Sequence, residues 1–571
     1  MAYFLKKTHN NKGTYLQIYE SFYNPEKGSS CHRSYKPLGY VDKLIESGIE
    51  DPIAYYKKEV EELNAKTKNE KEKDRIRLID ESTPEKYLGY FPLKNINDSL
   101  NVKKDFNLLQ FNKDFEYNVY DLMSSLIYAR VTKPCSKYKT FHEVLPKLFT
   151  NNEYSLPQIY SCLDFIGNEY EKIIEIYNEA LRKFYNFDTT NTYFDCTNFY
   201  FEIDKEDDFR RKGPSKENRK DPIVSMGLLL DNNLIPIGMK MFSGNESEKP
   251  IIKNVVNSLK ERHNITSRVI QVADKGLNCA DNIYNARKNK DGYIFSKSIK
   301  NLPEVEKVWV LLNNDYKDVL DDEGKLIYRY KSCVDEFTYT IKDESGKSHK
   351  IKLKEKRVVT YNPSLAAKKK YEINRQVEKA KSLCNSLAKR SQFGDSSKYV
   401  DFKSVDKNGE IGDDICTCIN EEKINNDLKL AGYNLLVTSE TNLPSSVIND
   451  TYHQLWRIEE SFKVMKSDLD ARPVYLQKEN TITGHFLICY LSVLLLRLFQ
   501  FKILNNKFHT EAIINFIKEF RVIKVPSNKY INLSHKTKLN TYLSDTELLH
   551  INHYFLNNTE IKMMLDHRFK S

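Results

Sequence analysis

Three acidic residues stand where carboxylates could hold metal ions. Asp195 lies in a segment rich in β-branched and aromatic residues, and Asp274 ends a short apolar segment before a Lys-Gly pair. Glu459 lies in residues 452–466, a segment without Gly or Pro that is predicted to be helical. Because sites in open α/β sheets form where strands end, we expect the two aspartates to lie at one sheet edge.

Converging carboxylates repel one another unless cations neutralise them, and Mg²⁺ prefers such oxygen ligands. Two Mg²⁺ ions, with Mn²⁺ as a substitute, can activate a water or a 3′-hydroxyl and stabilise the leaving oxygen of a phosphodiester. Each acid alone also has an ordinary explanation, since an aspartate at a strand end often caps a turn. The combination of three acids on the elements of one fold is what favours metal-dependent chemistry.

The segment that carries Glu459 presents other functional groups in the same direction. Tyr452, Glu459 and Lys466 are spaced seven residues apart, which places them on one face of a helix. A carboxylate and an ammonium are therefore offered together to a ligand. Glu460 is the competing candidate for the third acid.

The stretch around the two aspartates has the element order β-β-β-α-β-α-β. The predicted elements are strands at 192–201, 223–230, 234–242, 268–274 and 292–296, and helices at 250–260 and 280–288. This order predicts an α/β fold with an RNase H-like catalytic core, which is a mixed sheet flanked by helices. Another strand, at 432–439, precedes the helix of Glu459.

Two further regions precede this core. Residues 1–75 predict a β-hairpin unit followed by a polar linker helix from residue 51, and residues 76–188 predict a helical, DNA-binding domain. The helices of this second region are expected at 117–130, 137–148, 155–165 and 170–185. They fit either a helix-turn-helix-like DNA reader or a plain helical bundle.

A β-rich insertion is expected to interrupt the core. The predicted layout is a first core part at 189–300, the insertion at 301–431, a second core part with the Glu459 helix at 432–500, and a helical C-terminal region at 501–571. Within the insertion, the patterns predict strands at 308–312, 336–342 and 350–359, a helix at 364–388 and a loop-rich stretch at 390–425.

Composition adds a weak constraint on the partner. The 89 basic and 79 acidic residues give a net charge of +10, which favours a polyanionic partner without proving one. The ten cysteines are scattered, and only Cys416 and Cys418 are close. A C-x-C pair alone does not make a zinc site, so reduced thiols of an intracellular protein are expected.

No membrane or export segment is predicted. The N-terminus lacks the layout of a signal peptide. The most apolar run, Phe486 to Leu496, is 11 residues long, which is too short to span a bilayer and predicts a buried core helix. We therefore expect a soluble, cytoplasmic bacterial protein that is nucleoid-associated when bound to DNA.

Several motifs together resemble the DDE-type insertion-sequence transposases, in the branch with a Y-x-x-R-x-x-x-E-x-x-x-x-x-x-K block. Tyr452, Glu459 and Lys466 match that block, whereas Leu455 occupies the Arg position and Arg457 points elsewhere on the helix. The other stretches that carry the resemblance are Tyr193-Phe-Asp-Cys-Thr, Gly213-Pro-Ser-Lys-Glu-Asn-Arg-Lys-Asp221, Ser243-Gly-Asn-Glu-Ser, Val272-Ala-Asp-Lys-Gly-Leu277, Trp456-Arg-Ile-Glu-Glu-Ser-Phe, and Ala471-Arg-Pro-Val-Tyr followed by Gly484-His.

The resemblance implies a role for each matching residue. Asp195, Asp274 and Glu459 would be Mg²⁺ ligands, while Tyr452 and Lys466 would contact the DNA backbone near the cut. The missing Arg contact would fall to one of three nearby cations, which are Lys216, Arg219 and Lys275. Related enzymes stack a flipped base on an aromatic ring, for which the chain offers its two tryptophans, Trp309 and Trp456. For Trp309 a buried core position is the competing interpretation.

The implied function is DNA transposition. Such a protein would bind the terminal inverted repeats of its element, cleave to expose 3′-hydroxyls and join them to target DNA, as a homodimer that holds both ends. Two alternatives remain, a catalytically inactive transposase-derived DNA-binding protein and an RNase H-like nuclease without strand transfer. The presence of all three acids favours the enzyme.

Overall fold

The computed structural model describes most of the chain as two compact units. The described residues are 2–24, 29–75, 85–111, 113–150, 153–185, 188–216, 220–262, 268–342, 346–385, 392–405, 411–525 and 529–569. One unit comprises Met1–Glu85 with Lys524–Lys529, and the other comprises Lys86–Ile523 with Tyr530–Ser571.

The first unit is a three-stranded antiparallel sheet with two helices. Its elements are β1 (Ala2–Asn10), β2 (Gly13–Asn24), β3 (Ser29–Tyr40), α1 (Val41–Glu46) and α2 (Pro52–Arg75). Leu16 and Ile18 of β2 are fully buried, as the alternation of this strand requires. The predicted hairpin is thus β2–β3, and β1 is a third strand that sequence patterning did not reveal.

The second unit begins with a short strand and a set of helices. They are β4 (Glu85–Tyr87), α3 (Phe91–Ser99), α4 (Lys103–Gln110), α5 (Val119–Thr132), α6 (Lys137–Lys139), α7 (Leu156–Asn168) and α8 (Tyr170–Tyr185). The helix predicted at 137–148 is confirmed as a helical segment, but only its first residues are α-helical. After α6 the chain forms a π-helical turn and then a 3₁₀ turn that contains Pro146, a residue that cannot continue an α-helix.

The elements around the two aspartates follow the predicted order. They are β5 (Asn191–Tyr200), β6 (Ile223–Leu230), β7 (Pro236–Ser243), α9 (Lys249–Arg262), β8 (Ile270–Ala273), α10 (Ala280–Lys288) and β9 (Gly292–Lys297). Strands β5, β6 and β7 are antiparallel neighbours, whereas β8 pairs in parallel with both β5 and β9. The chain therefore contains the expected mixed sheet.

The next segment contains α11 (Glu304–Leu311), β10 (Lys317–Leu320), β11 (Leu326–Lys342), β12 (Ser348–Tyr361), α12 (Pro363–Asn385), β13 (Val400–Val405), β14 (Ile411–Ile419) and α13 (Glu421–Lys429). The strand predicted at 308–312 is wrong, because two glutamates in the first turn after Pro303 start a helix there. The stretch predicted as loop-rich instead holds the β13–β14 hairpin and α13.

The insertion strands extend the central sheet. After β15 (Tyr433–Thr438), which pairs antiparallel with β9 and β12, the nine-stranded order is β10-β11-β12-β15-β9-β8-β5-β6-β7. One face of the sheet packs on α9 and α10. The opposite face is covered by a cluster of buried apolar residues from α3, α5, α7, α8 and residues 448–565, called the helical core below. The predicted domain boundaries stay predictions.

Three helices follow β15, and the third of them is buried. They are α14 (Ser445–His453), α15 (Trp456–Lys463) and α16 (Glu479–Leu498). The prediction of one continuous helix over 452–466 is wrong, because a turn at Gln454 and Leu455 separates α14 from α15 and a π-helical turn follows Lys463. Helix α16 is long and apolar enough to cross a membrane, so the prediction that this segment is too short is wrong; its apolar part is buried inside the molecule, which confirms the predicted core helix. Helices α5 and α7 pack on it, which favours the bundle interpretation of that region.

The C-terminal region is less helical than predicted. It consists of α17 (Thr510–Glu519), β16 (Arg521–Val525), β17 (Lys529–Asn532), α18 (Lys538–Glu547), β18 (Phe555–Asn557) and α19 (Asn558–Leu565). Its three strands join β4 in a four-stranded sheet of order β18-β17-β16-β4. Each of these strands has at most five residues, too few for a clear alternating pattern.

Candidate active site

The two predicted aspartate ligands lie on neighbouring parallel strands. The last paired residues of β5 and β8 are Phe194 and Ala273, so Asp195 and Asp274 follow one step further along the two strands. Residues in register on adjacent strands lie about 5 Å apart and point to the same face of the sheet. The strand order therefore brings together two acids that are 79 positions apart in the sequence.

The helix of Glu459 packs on the same face of the sheet. Along β5, Phe194 faces the core under α9 and α10, whereas Tyr193 faces the helical core, and alternation places Asp195 on the side of Tyr193. Helix α15 contacts β5 and buries Ile458 in this helical core, while Glu459 remains exposed. The third acid is thus carried on an anchored helix next to the strand of the first.

Tyr452 connects the preceding helix to the second acid. Its hydroxyl donates a 3.0 Å hydrogen bond to Oδ1 of Asp274. Burial raises the pKa of Tyr452 above its ordinary value, and the nearby carboxylates of Asp274 and Glu459 raise it further. The phenol therefore stays protonated and lies within electrostatic range of both acids.

Lys216 and Glu248 complete the surroundings of Asp195. The Lys216 Nζ lies 3.7 Å from Oδ1 of Asp195 and 3.9 Å from Oε1 of Glu248, and it donates to the carbonyl of Cys196. Sequence reasoning missed Glu248 as a site residue. The available signal was its position directly after the Ser243-Gly-Asn-Glu-Ser stretch.

A close contact between two loops positions these side chains. A Cβ on Gly213 would lie 1.9 Å from the carbonyl oxygen of Gly244, so only glycine fits at this contact. Asn198 of β5 holds the same segment, because its Nδ2 donates to the Pro214 carbonyl and its Oδ1 accepts from the backbone amide of Lys216. Two of the motifs noted in the sequence therefore meet at Asp195.

The ionised form of the Asp195 carboxyl is disfavoured in its surroundings, chiefly because the group is buried. Burial raises the pKa of its carboxyl to about 6; the ammonium of Lys216 opposes this rise, and the carboxylates of Glu248 and Asp274 add to it. A divalent cation would relieve this repulsion, and oxygen ligands suit Mg²⁺ or Mn²⁺. The donor set of Asp195, Asp274 and Glu459 thus fits such ions.

Glu460 is engaged elsewhere. Its Oε1 accepts a 2.7 Å hydrogen bond from Thr510, and its Oε2 lies 3.1 Å from Arg457 and 3.4 Å from the buried Arg497. Burial raises the pKa of Glu460, but these cations and the Thr510 hydroxyl outweigh it, and the net pKa is lowered. The Glu460 carboxylate is held by these ion pairs and this hydrogen bond, whereas the carboxylate of Glu459 faces solvent.

The departure at Leu455 has a structural basis. Leu455 is buried in the helical core at the start of α15, where an arginine would bring a charge into apolar surroundings. Arg457 does not replace the missing cation, because its guanidinium lies 3.8 Å from the centroid of the Trp456 ring and contacts Glu460. Trp456 itself is 47% exposed.

The other predicted DNA contacts have different surroundings. The Lys466 Nζ lies 5.4 Å from the ring centroid of Phe199, which is on the Asp195 side of β5. Lys275 is exposed directly after Asp274. Trp309 is partly buried against the core under α9 and α10. Arg219 lies outside the described residues.

A groove rich in lysine opens beside Asp274. Tyr452 and residues of β9, α12 and α13 contribute to its walls. Its charged side chains are Lys275, Lys297, Lys300, Lys369, Lys398, Asp274, Glu372 and Asp427. Two of these lysines are paired inside the groove, Lys300 with Asp427 at 2.5 Å and Lys369 with Glu372 at 2.8 Å. The lysines outnumber the acids, which makes the groove positive overall.

Comparison with known proteins identifies a family and similar solved structures. The family model described as Transposase DDE domain matches residues 194–495, more than half of the chain, and this span contains all three predicted acids. The cryo-EM structure of the piggyBac transposase synaptic complex with hairpin DNA is similar at a TM-score of 0.34 and 8% identity, over 75% of this chain and 77% of that chain.

A structural similarity this low shows nothing about function. None of the curated proteins compared with this chain matches it. The family assignment depends on the domain model, whose first residue immediately precedes Asp195 and which extends into α16. The chain belongs to the transposase DDE domain family.

Proposed function

We propose that this protein is a DNA transposase of an insertion sequence. It would bind the terminal inverted repeats of its element, cleave phosphodiester bonds there and join the 3′-hydroxyl ends to target DNA. The observation that carries the proposal is the adjacency of Asp195 and Asp274 on β5 and β8, with the helix of Glu459 packed on β5, inside a matched transposase DDE domain.

The topology supports an RNase H-like core. Five neighbouring strands run in the order β7-β6-β5-β8-β9, with the first three antiparallel and the last three parallel, and α9 and α10 cover one face. This arrangement has the acids of β5 and β8 at its centre. The insertion strands then extend the sheet on the side of β9.

The metal ligands in this proposal are Asp195, Asp274 and Glu459. When bound, two Mg²⁺ or Mn²⁺ ions would neutralise these carboxylates, activate a water or a 3′-hydroxyl, and stabilise the leaving oxygen. The all-oxygen donor set and the raised pKa of Asp195 support this assignment. Glu459 is chosen over Glu460 because Glu460 is bound by two arginines and Thr510.

The other side chains of the site orient the acids and hold DNA. The hydroxyl of Tyr452 fixes the Asp274 carboxylate through its hydrogen bond. Lys216 compensates part of the charge of Asp195 and Glu248, and is placed to contact a phosphate once cations occupy the acids. The lysine-rich groove beside Asp274 and the ammonium of Lys466 would hold the DNA backbone.

Transposition needs both ends of the element at once, so we propose that the active form is a homodimer on double-stranded DNA. The strand-transfer step separates this function from a nuclease of the same fold. Purified protein would be given a supercoiled target plasmid in Mg²⁺ together with either uncut end DNA or precut end DNA that has free 3′-hydroxyls. Joined products are expected; cleavage of uncut ends without any joining would favour the nuclease, and binding without cleavage would favour the inactive DNA-binding protein.

A further inference from the structure

A cluster of two histidines and a glutamate lies in the C-terminal region, outside the matched domain. The Nδ1 atoms of His550 and His553 lie 2.8 Å and 3.1 Å from the same oxygen, Oε1 of Glu560. One ligand atom from each of the three residues lies within 4.8 Å of the others. The two imidazoles are stacked, with ring centroids 4.3 Å apart and an interplanar angle of 22°.

The segment that carries the histidines is fixed from beneath. Between and beside them, Leu549 and Ile551 are buried in the helical core. The buried Asn532 donates from its Nδ2 to the carbonyls of Ile551 at 2.8 Å and His553 at 3.1 Å. The backbone under both imidazoles is therefore set by packing and hydrogen bonds that do not involve the imidazoles.

The carboxylate is oriented independently. The backbone amide of Asn557 donates a 2.8 Å hydrogen bond to Oε2 of Glu560, and the amide of Glu560 donates to Oδ1 of Asn557 at 2.9 Å, which is a capping box at the start of α19. Oε1 is thereby left facing both histidines. The imidazoles are 51% and 53% exposed and the glutamate 14%, so the cluster is open to solvent on the histidine side.

This donor set differs chemically from that of the catalytic site. Two imidazole nitrogens and one carboxylate oxygen suit Zn²⁺ and similar borderline ions, whereas Mg²⁺ takes oxygen ligands. Metal–ligand bonds of about 2.0–2.1 Å in a tetrahedron separate the ligand atoms by roughly 3.3 Å, close to the nitrogen–oxygen distances here. Small movements would admit an ion, with a fourth position left for water.

We propose that His550, His553 and Glu560 bind one Zn²⁺-class ion. The ion would replace the two imidazole–carboxylate hydrogen bonds and tie the segment before β18 to the first turn of α19. By joining these two segments, the ion would stabilise this part of the C-terminal region. The competing explanation is a metal-free cluster in which one carboxylate accepts from two imidazoles.

The test measures how many metal ions the whole 571-residue chain binds. Chelator-treated protein in excess Mg²⁺, which fills the carboxylate site, would be titrated with Zn²⁺ by calorimetry and with Co²⁺ by visible absorption. The variants are His550→Ala, His553→Ala and Glu560→Gln, the last of which retains the capping box. His535→Ala, an exposed histidine of the same region, is the matched control.

We expect wild type and His535→Ala to bind one equivalent of Zn²⁺ or Co²⁺ that the three site variants do not bind. Only these two proteins should show a tetrahedral Co²⁺ spectrum and a rise in Tm on addition of Zn²⁺. Tm without metal checks that each variant folds. Equal stoichiometry and equal Zn²⁺ response in all five proteins would overturn the proposal. So would a Co²⁺ spectrum that survives in the site variants.

Discussion

Replacing Asp195 with asparagine should stabilise the metal-free protein while removing its catalysis. The Asp195 carboxyl lies on a buried strand near Glu248 and Asp274, and its pKa is raised from 3.8 to about 6, chiefly by burial. In metal-free protein at pH 7 it is therefore ionised in unfavourable surroundings. Asparagine keeps the shape of the side chain and removes the charge.

The size of the effect follows from the pKa. A rise from 3.8 to about 6 corresponds to about 3 kcal/mol at 1.36 kcal/mol per pKa unit. The side chain is 20% exposed and loses its contact with Lys216 on substitution, so we expect about 1–2 kcal/mol of net stabilisation. Asp195 binds its proton more tightly in the folded protein than in the unfolded chain. The free energy of unfolding of wild type should therefore fall as the pH rises from about 4 to about 6.

The assay is denaturant unfolding in chelator at pH 5 and pH 7.5, repeated in Mg²⁺. Asp195→Asn should be more stable than wild type at pH 7.5, more stable by only about half that margin at pH 5, and insensitive to Mg²⁺. Asp204→Asn, an exposed aspartate after β5, is the control and should behave as wild type. A variant less stable than wild type in chelator at pH 7.5 would refute the assignment of Asp195 to a repulsive carboxylate cluster.

Other substitutions separate roles that the structure assigns to neighbouring groups. Glu459→Gln should abolish cleavage without changing stability, whereas Glu460→Gln should destabilise the fold by about 3 kcal/mol, measured by denaturant unfolding, because it strips the carboxylate from a buried arginine. Tyr452→Phe loses a hydrogen bond to a carboxylate worth about 1.5–3 kcal/mol and should slow cleavage in a single-turnover assay by a larger factor than it weakens DNA binding. Rising salt should weaken DNA binding steeply in a fluorescence titration, and Lys275→Ala should reduce the slope of log K against log salt by about 1.

The strands that carry Asp195 and precede Asp274 were predictable because their signals are local. β-branched and aromatic residues mark β5, a nearly continuous apolar run marks β6, and a helix between β8 and β9 gives a parallel pairing. The two aspartates then meet through strand order alone. Glu459 was predictable only through a motif, since nothing local distinguishes it from Glu460; what separates them is the contact of Glu460 with Thr510 and Arg497.

Features that depend on long-range packing were not predictable. Glu248 and Lys216 meet through the close contact of Gly213 with Gly244, between segments 31 positions apart. The short apolar run of α11 fits a strand as well as a helix until its acidic first turn is weighed. The pairing of β12 with β15, which extends the core sheet, depends on a strand that begins 72 positions after β12 ends.

The central claim is most directly tested by Mg²⁺-dependent cleavage of DNA that carries the ends of the element. Wild-type protein should cleave at the ends in Mg²⁺ or Mn²⁺ and not in chelator. Asp195→Asn, Asp274→Asn and Glu459→Gln should each bind the same DNA with little change in affinity and leave it uncut, while Asp450→Asn, an exposed acid on α14, should cut as wild type does. Cleavage that persists in any of the three site variants would contradict the account.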